Sequence, residues 1–124
     1  MRYTSFRPAD NSKEPTLSNP NYTLIADVIA TITAIPPDTI VSRTVYLGET
    51  MRIILFGFAP GQELSEHTST KEAVLHFLRG EATVTLDGEQ TIATPGTVIR
   101  MAPALKHSVA AQTETLMLLT MYGK

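Results

Sequence analysis

Apolar and polar residues alternate with a period of two along most of the chain from residue 39 onward. Successive side chains of a β-strand point to opposite faces, so this alternation predicts strands with one buried face. Seven such segments can be identified: 39–47, 50–59, 72–80, 82–88, 96–102, 106–111 and 114–122. Short strands at regular intervals, separated by turns that contain glycine or proline, indicate an all-β sandwich or barrel.

One tight turn is predicted with particular clarity. Asp87-Gly88 separates the alternating residues 83–86 from residues 89–92. A two-residue hairpin turn of type I′ requires a positive φ at both central positions, and Asp-Gly is one of the pairs that adopt it. These two segments should therefore be antiparallel neighbours in one sheet.

The first third of the chain has a different pattern. Residues 1–21 are polar and interrupted by proline, which predicts an irregular N-terminal arm. Residues 22–39 form a connecting segment in which Val28, Ile29 and Ile32 have helical spacing, although β-branched residues are frequent. A short helix opened by Thr23 is the interpretation favoured here, and a strand is the alternative. Residues 40–124 are expected to form the barrel.

Composition excludes several classes of protein. The chain has 124 residues, one domain by length, with 10 basic and 12 acidic residues and no basic stripe, so a nucleic-acid-binding surface is not expected. The absence of cysteine excludes disulfides and thiolate metal ligands. No apolar run is long enough to span a membrane, and the first residues lack the apolar core of a signal peptide, which predicts a cytoplasmic protein.

Strand parity predicts which side chains share the barrel interior with the histidines. If the side chain of His67 points inward, every second residue after it should do the same. That set is His67, Ser69, Lys71, Ala73, Leu75 and Phe77, and His107, Val109 and Ala111 form a second set. His76 is predicted to face the opposite side of its strand. Lys71 could pair with an anionic ligand, or its ammonium could extend to the mouth of the barrel. Met51, Met101, Met117 and Met121 are expected in the core.

Two motifs resemble a known family. The segments Gly61-x5-His67-x-Ser69-x3-Ala73-x6-Gly80 and Gly96-x5-Ala102-x-Ala104-x2-His107-x3-Ala111 are similar to the paired motifs of the cupin family. The resemblance covers about residues 40–122. It implies a single-domain antiparallel jelly-roll β-barrel, usually a homodimer, with a ligand cavity between two sheets.

The resemblance also implies a metal site that this chain completes only in part. The family pattern has His, His and Glu where this chain has His67, Ser69 and Ala73, and its last histidine is His107. A transition-metal site commonly needs three or four nitrogen and carboxylate ligands. The two histidines could still hold a divalent metal such as Zn, Ni, Mn or Fe with water, or with Glu63 or Glu66. By parity, Glu63 shares the face of His67.

Three functions remain open at this stage. The leading hypothesis is a barrel that binds a small molecule in its cavity, without an assigned activity. Its predicted ligand-binding residues are His67, Ser69, Lys71, Ala73, Leu75, Phe77 and His107. The alternative is a metal-dependent enzyme, dioxygenase- or isomerase-like, that uses His67 and His107. The third is a role in assembly, because residues 53–56 are apolar on both faces, which suits a subunit interface. The histidines could also be structural, satisfied by a carbonyl or by water.

Overall fold

The computed structural model describes residues 6–8, 16–18 and 21–123, and the first two ranges are described by their backbone alone. Apart from one turn of 3-10 helix at Ile29–Thr31, the regular elements of these residues are strands. The strands are β1 Phe6–Pro8, β2 Thr16–Ser18, β3 Thr23–Ile25, β4 Ile40–Leu47, β5 Met51–Phe58, β6 Glu63–His67, β7 Glu72–Arg79, β8 Ala82–Leu86, β9 Glu89–Ala93, β10 Val98–Met101, β11 His107–Ala111 and β12 Thr115–Tyr122.

Two large sheets form the body of the protein. The six-stranded sheet has the order β1-β4-β5-β12-β7-β10, and the four-stranded sheet has the order β6-β11-β8-β9. All pairings in these sheets are antiparallel except β1 with β4. Strands β2 and β3 form a separate antiparallel pair. The predicted all-β jelly-roll barrel is confirmed.

The core lies between the inner faces of the two large sheets. The six-stranded sheet contributes Phe56, Phe58 and Phe77, and the four-stranded sheet contributes Val84 and Val109. Burial of side chains of this size is the main stabilising contribution to a domain of this length. Met101, Met117 and Met121 belong to the core, as predicted, whereas Met51 is exposed. The prediction for Met51 is wrong because its position on β5 faces away from the second sheet.

Each of the seven strands predicted from the alternating pattern is present, with ends that differ by at most a few residues. The predicted turn at Asp87-Gly88 is confirmed, since φ is 50° at Asp87 and 86° at Gly88 and Leu86 pairs with Glu89. Short strands at 6–8 and 16–18 were not predicted. The rest of the predicted arm lies outside the described residues, and the division of the chain at residues 21 and 39 stays a prediction.

The helix favoured for residues 23–34 is wrong. Thr23–Ile25 is a strand, and Ile29–Thr31 is a single 3-10 turn in which the Thr31 hydroxyl donates to the Val28 carbonyl at 2.6 Å. Val28, Ile29 and Ile32 pack against the outer face of the six-stranded sheet. β-branched residues lose side-chain freedom in a helix, and an irregular segment can bury the same apolar groups. No helix in the described part of the chain is long and apolar enough to cross a membrane.

Candidate functional site: a buried histidine pair

His67 and His107 lie side by side on the inner face of the four-stranded sheet. They are direct partners in the antiparallel ladder of β6 and β11. Their ring centroids are 4.2 Å apart and the ring planes are inclined by 58°. His67 is 9% exposed and His107 is 8% exposed. The structure therefore brings together two residues that are 40 positions apart in the sequence.

Both rings are oriented by the backbone. The Nδ1 atom of His67 lies 2.6 Å from the Ser65 carbonyl oxygen, and the Nδ1 atom of His107 lies 2.9 Å from the Leu105 carbonyl oxygen. Each carbonyl belongs to the residue two positions earlier in the chain, so the local backbone fixes the ring edge nearest the strand. The two rings are therefore held at the edge that carries Nδ1.

Burial changes the protonation of this pair. Desolvation lowers the pKa of His67 below its usual 6.5, and the nearby His107 lowers it further, while the hydrogen bond to the Ser65 carbonyl opposes both effects. The neutral imidazole is therefore the favoured form of His67 in the folded protein at neutral pH.

This lowered pKa predicts that the protein loses stability in mild acid. The unfolded chain takes up a proton at His67 near pH 6.5, whereas the folded chain resists it, so the unfolded state binds more protons between the two pKa values. The free energy of unfolding should fall as the pH drops below 6.5 and should level off below the folded-state pKa. Urea unfolding at a series of pH values from 8 to about 5 measures it.

His67→Gln removes the titrating group, so the variant should show a smaller loss of stability over the same pH range than the wild type. The matched control is His76→Gln, which replaces a half-buried histidine on the outer face of β7. The control measures how much any substitution of histidine by glutamine changes the stability. Identical pH profiles for the wild type and His67→Gln would contradict the prediction.

Three more of the predicted residues face the interior, as parity requires. Ala73, Leu75 and Phe77 are buried and belong to the core cluster, while His76 between them is half-buried on the outer face. The inward orientation of these residues is confirmed. Their role in ligand binding stays a prediction.

Ser69 and Lys71 do not continue the strand of His67. Strand β6 ends at His67 and β7 begins at Glu72, so parity does not extend across the intervening loop. The Ser69 hydroxyl accepts a hydrogen bond from the Lys71 backbone amide at 3.2 Å. The Lys71 ammonium donates to the Gly123 carbonyl at 3.0 Å. The Lys71 ammonium is therefore held at the end of β12, and the role of Ser69 and Lys71 in ligand binding stays a prediction.

The acidic residues of β6 face away from the histidines. The β6–β11 register shifts between His107 and Val109, so that His67 pairs with His107 but Leu64 pairs with Val109. This β-bulge places Leu64 in the core and leaves Glu63 and Glu66 exposed. The prediction that Glu63 shares the face of His67 is wrong, because a bulge adds a residue and breaks strict alternation.

The residues present do not fit the metal site of the family pattern. The two histidines are present, but Ala73 has no donor atom, Ser69 has only a neutral hydroxyl, and the nearest acids in β6 face outward. Among the described residues, no group of three or more histidines, cysteines or acids is arranged to hold a metal ion. A site built for three or four strong ligands would lack half of its donors.

Sequence reasoning missed two apolar residues around the pair. Leu86 is the partner of His107 on the other neighbouring strand, β8, and Leu64 lies on the core side of β6. The predicted hairpin at Asp87-Gly88 implied that Leu86 pairs with Glu89 of β9, but it did not place Leu86 beside His107. Nothing in the sequence indicated that β11 lies beside β8, since the two strands are separated by β9 and β10.

A groove lies outside the barrel. A groove of about 440 Å³ is formed by the segment that includes β3 and by the hairpin of β4 and β5. Its lining includes Tyr22, Ile25, Tyr46, Met51 and Ile53. No sequence pattern indicated this groove, because its two walls come from segments that are distant in the sequence.

The fold is a barrel of two sheets, and its inner wall carries a histidine pair. Comparison of the chain with protein families identifies the class of protein that has this fold. Residues 54–122 match the family model described as the cupin domain. This match covers more than half of the chain, so the chain belongs to the cupin family.

Solved structures agree with this assignment. A conserved protein of unknown function from Streptococcus pyogenes, SPY1581, is 26% identical with a TM-score of 0.75, and the match covers 91% of this chain and 96% of that one. A cupin superfamily protein from Desulfitobacterium hafniense is 21% identical with a TM-score of 0.76, over 91% and 100% of the two chains. A mutant salicylate 1,2-dioxygenase from Pseudoaminobacter salicylatoxidans is 18% identical with a TM-score of 0.63, over 67% and 26%. No curated protein sequence gives a significant match.

Proposed function

We propose that the barrel binds a small organic molecule in its interior and that His67 and His107 are the polar groups that contact it. The observation that carries the proposal is the buried imidazole pair, which lies on the inner wall of an otherwise apolar interior. Small-molecule sites are typically apolar with a few converging polar groups. A similar fold occurs in a protein whose name gives a small organic substrate, salicylate.

A thermal-shift screen of metabolites tests this proposal. A compound at 100 times its Kd should stabilise the protein by about 2.7 kcal/mol, which is measurable as a rise in Tm. His107→Ala should abolish that rise, because it removes one of the two polar contacts. The control Ile92→Ala should retain it, because Ile92 is exposed on β9 and lies outside the barrel interior.

Two outcomes would contradict the proposal. A compound that stabilises the wild type and His107→Ala equally binds elsewhere, for example in the groove beside β3. A stoichiometric transition metal that is lost on the double substitution of His67 and His107 by alanine would favour the alternative, a dioxygenase- or isomerase-like metal enzyme. The donor set argues against that alternative, since two of the four family positions carry no strong ligand. The cytoplasmic location stays a prediction from the sequence.

We further propose that the protein is a homodimer and that the subunits meet on the outer face of the six-stranded sheet. The segment around Ile29–Thr31 covers one end of this face. The other end, called here the open face, carries the apolar residues Val74, Val98 and Tyr122 in adjacent strands. Tyr46, Met51 and Ile53 lie at its boundary, where they line the groove beside β3. Tyr122 is 57% exposed on this face.

The charges beside the open face support a second copy of the chain as the partner. Arg100 and Glu72 lie on the same outer face, with 2.7 Å between Arg100 Nε and Glu72 Oε2. A face that presents one positive and one negative group can pair with itself across a two-fold axis. An apolar patch of a few hundred Å², rimmed by polar residues, is typical of an interaction surface.

Substituting a residue of the open face should dissociate the dimer. Val98 is 59% exposed on this face, and Val98→Lys would bring two like charges into the interface. We expect sedimentation across a dilution series to show a dimer for the wild type and a monomer for Val98→Lys. Ile92→Lys is the control, because Ile92 is similarly exposed, at 54%, but lies on β9 of the other sheet. A wild type that is monomeric at every concentration would refute the proposal.

A further inference from the structure

A small pocket lies at the end of the barrel that carries the histidine pair. Strand β6 ends at His67, β11 begins at His107, and Lys71 belongs to the loop that follows His67. Lys71 lines a pocket of about 150 Å³ together with Arg52 of β5 and Glu49 of the turn before β5. Sites that enclose a whole drug-sized ligand have about 300–1,000 Å³. This pocket therefore has room for a single functional group of a ligand.

Hydrogen bonds fix the walls of this pocket. The Ala104 backbone amide donates to the Ser69 carbonyl at 2.7 Å, and the Ser69 hydroxyl accepts from the Lys71 amide at 3.2 Å. The Lys71 ammonium donates to the Gly123 carbonyl at 3.0 Å, and the Gly123 amide donates to the Thr50 carbonyl at 2.9 Å. The ammonium is therefore held in the pocket before a ligand arrives, which lowers the entropic cost of binding.

The two cations of the pocket have hydrogen-bond donors to offer. An ammonium has three N–H donors, and Lys71 uses one of them on the Gly123 carbonyl. Arg52 is exposed, and its guanidinium carries five donors in a planar fork that matches a carboxylate or a phosphate group. Glu72, which follows Lys71, is paired with Arg100. Within the described part of the chain, neither Arg52 nor Lys71 forms an ion pair with a carboxylate.

The charge of the pocket is opposite to that of the whole chain. Among the described residues of its lining, Arg52, Lys71 and Glu49 are charged, which gives 2 − 1 = +1. The chain has a net charge of −2, so a general attraction of anions to the protein is not expected. Glu49 is exposed, and its charge is therefore screened by solvent. Attraction of an anion should be confined to this end of the barrel.

We propose that this pocket is an anion site, in which Arg52 and Lys71 bind a carboxylate or phosphate group of a small molecule. Pairing of Lys71 with an anion was one expectation from the sequence, and Arg52 is a second cation that the sequence did not indicate. Met121 lines the pocket and belongs to the core, so the site adjoins the barrel interior. The inference does not depend on the interior site proposed above, since neither histidine of the pair takes part in it.

Three small probes test the anion site. Propionate and inorganic phosphate are anions, and propionamide has the shape of propionate without its charge. Each is titrated into ¹⁵N-labelled protein at neutral pH and constant ionic strength. We expect propionate, phosphate or both to shift the backbone amide signals of Gly48, Arg52 and Gly123, whereas propionamide should not. Added sodium chloride should weaken the shifts, because salt screens exposed charges.

Substitutions in the pocket should change the affinity in opposite directions. Arg52→Gln and Lys71→Gln should each weaken anion binding about tenfold, because each removes a charged hydrogen-bond donor. Glu49→Gln removes the opposing charge and should strengthen binding about twofold. The matched control is Arg79→Gln, which changes the net charge equally but replaces an exposed residue at the other end of β7 from Lys71. The control should keep the wild-type affinity.

The outcomes separate this site from the interior site. If propionamide shifts the same amides as strongly as propionate, or if neither anion shifts them, the inference is overturned. Equal weakening by Arg52→Gln and Arg79→Gln would show a response to net charge alone and would also overturn it. If anion binding is kept in Arg52→Gln and lost in His107→Ala, the anion binds at the histidine pair. The anion site would then be wrong while the proposed interior binding would stand.

Discussion

Gly80→Ala is expected to lower the free energy of unfolding by about 3 kcal/mol or more. Gly80 has a φ of 85°, and a Cβ atom there would lie 2.1 Å from the Glu114 carbonyl oxygen and 2.8 Å from the Thr115 Cα. A non-glycine residue in this backbone region costs about 1–2 kcal/mol, and overpacking against atoms that cannot move adds about 1–3 kcal/mol. Urea unfolding of the variant and the wild type measures the difference.

The matched control separates backbone strain from the steric clash. Gly96 has a φ of 99°, but a Cβ atom there would have no atom within 4 Å. Gly96→Ala should therefore show the strain alone, about 1–2 kcal/mol. Equal effects of the two substitutions would mean that the turn after β7 moves away from Glu114 at little cost. That result would contradict the tight packing described here.

Phe77→Ala is expected to destabilise the protein by about 3–5 kcal/mol. Phe77 is fully buried in the core between the two sheets and lies on β7, which pairs with β12 on one side and β10 on the other. Deleting a buried ring removes its transfer free energy and leaves a cavity that the close-packed interior fills only in part. Thermal or urea unfolding should show the loss as a lower Tm or midpoint.

Two comparisons make this result interpretable. Ile92→Ala removes an apolar side chain that is mostly exposed, so it should change stability by no more than about 0.5 kcal/mol. Phe77→Leu keeps most of the volume and should lie between the two. A change of less than about 1 kcal/mol for Phe77→Ala would show that the interior near β7 is loosely packed. Phe77 would then be a candidate wall of the ligand cavity.

The alternating pattern predicted most of the fold because it reports a physical constraint. A strand with one face in the core must place apolar residues at every second position, and the inward residues of β7 and β11 obey this rule. The turn at Asp87-Gly88 was predictable for a different reason, since few residue pairs adopt two successive positive φ values. Both the alternation and the Asp-Gly pair involve residues that are close together in the sequence. Patterns of this kind can be recognised in a single sequence.

The errors arose where the local rule is broken by longer-range contacts. In β6, Leu64 pairs with Val109 while His67 pairs with His107, and this register requires a bulge. No residue type in β6 indicates the bulge in the sequence. The segment that includes Ile29–Thr31 has helical spacing, but its apolar groups follow the outer face of the sheet. The histidine pair itself was predicted from the resemblance and from parity, whereas the orientation of its rings depends on two backbone carbonyls.

The spacing of the histidine pair is set by the ladder that joins β6 and β11. Neighbouring strands lie about 4.8 Å apart, so the backbone hydrogen bonds of the ladder fix the spacing of the two positions from which the rings extend. The carbonyls of Ser65 and Leu105 belong to the same two chain segments and hold the rings at that spacing. A substitution elsewhere in the barrel that leaves this ladder intact should therefore leave the distance between the rings unchanged.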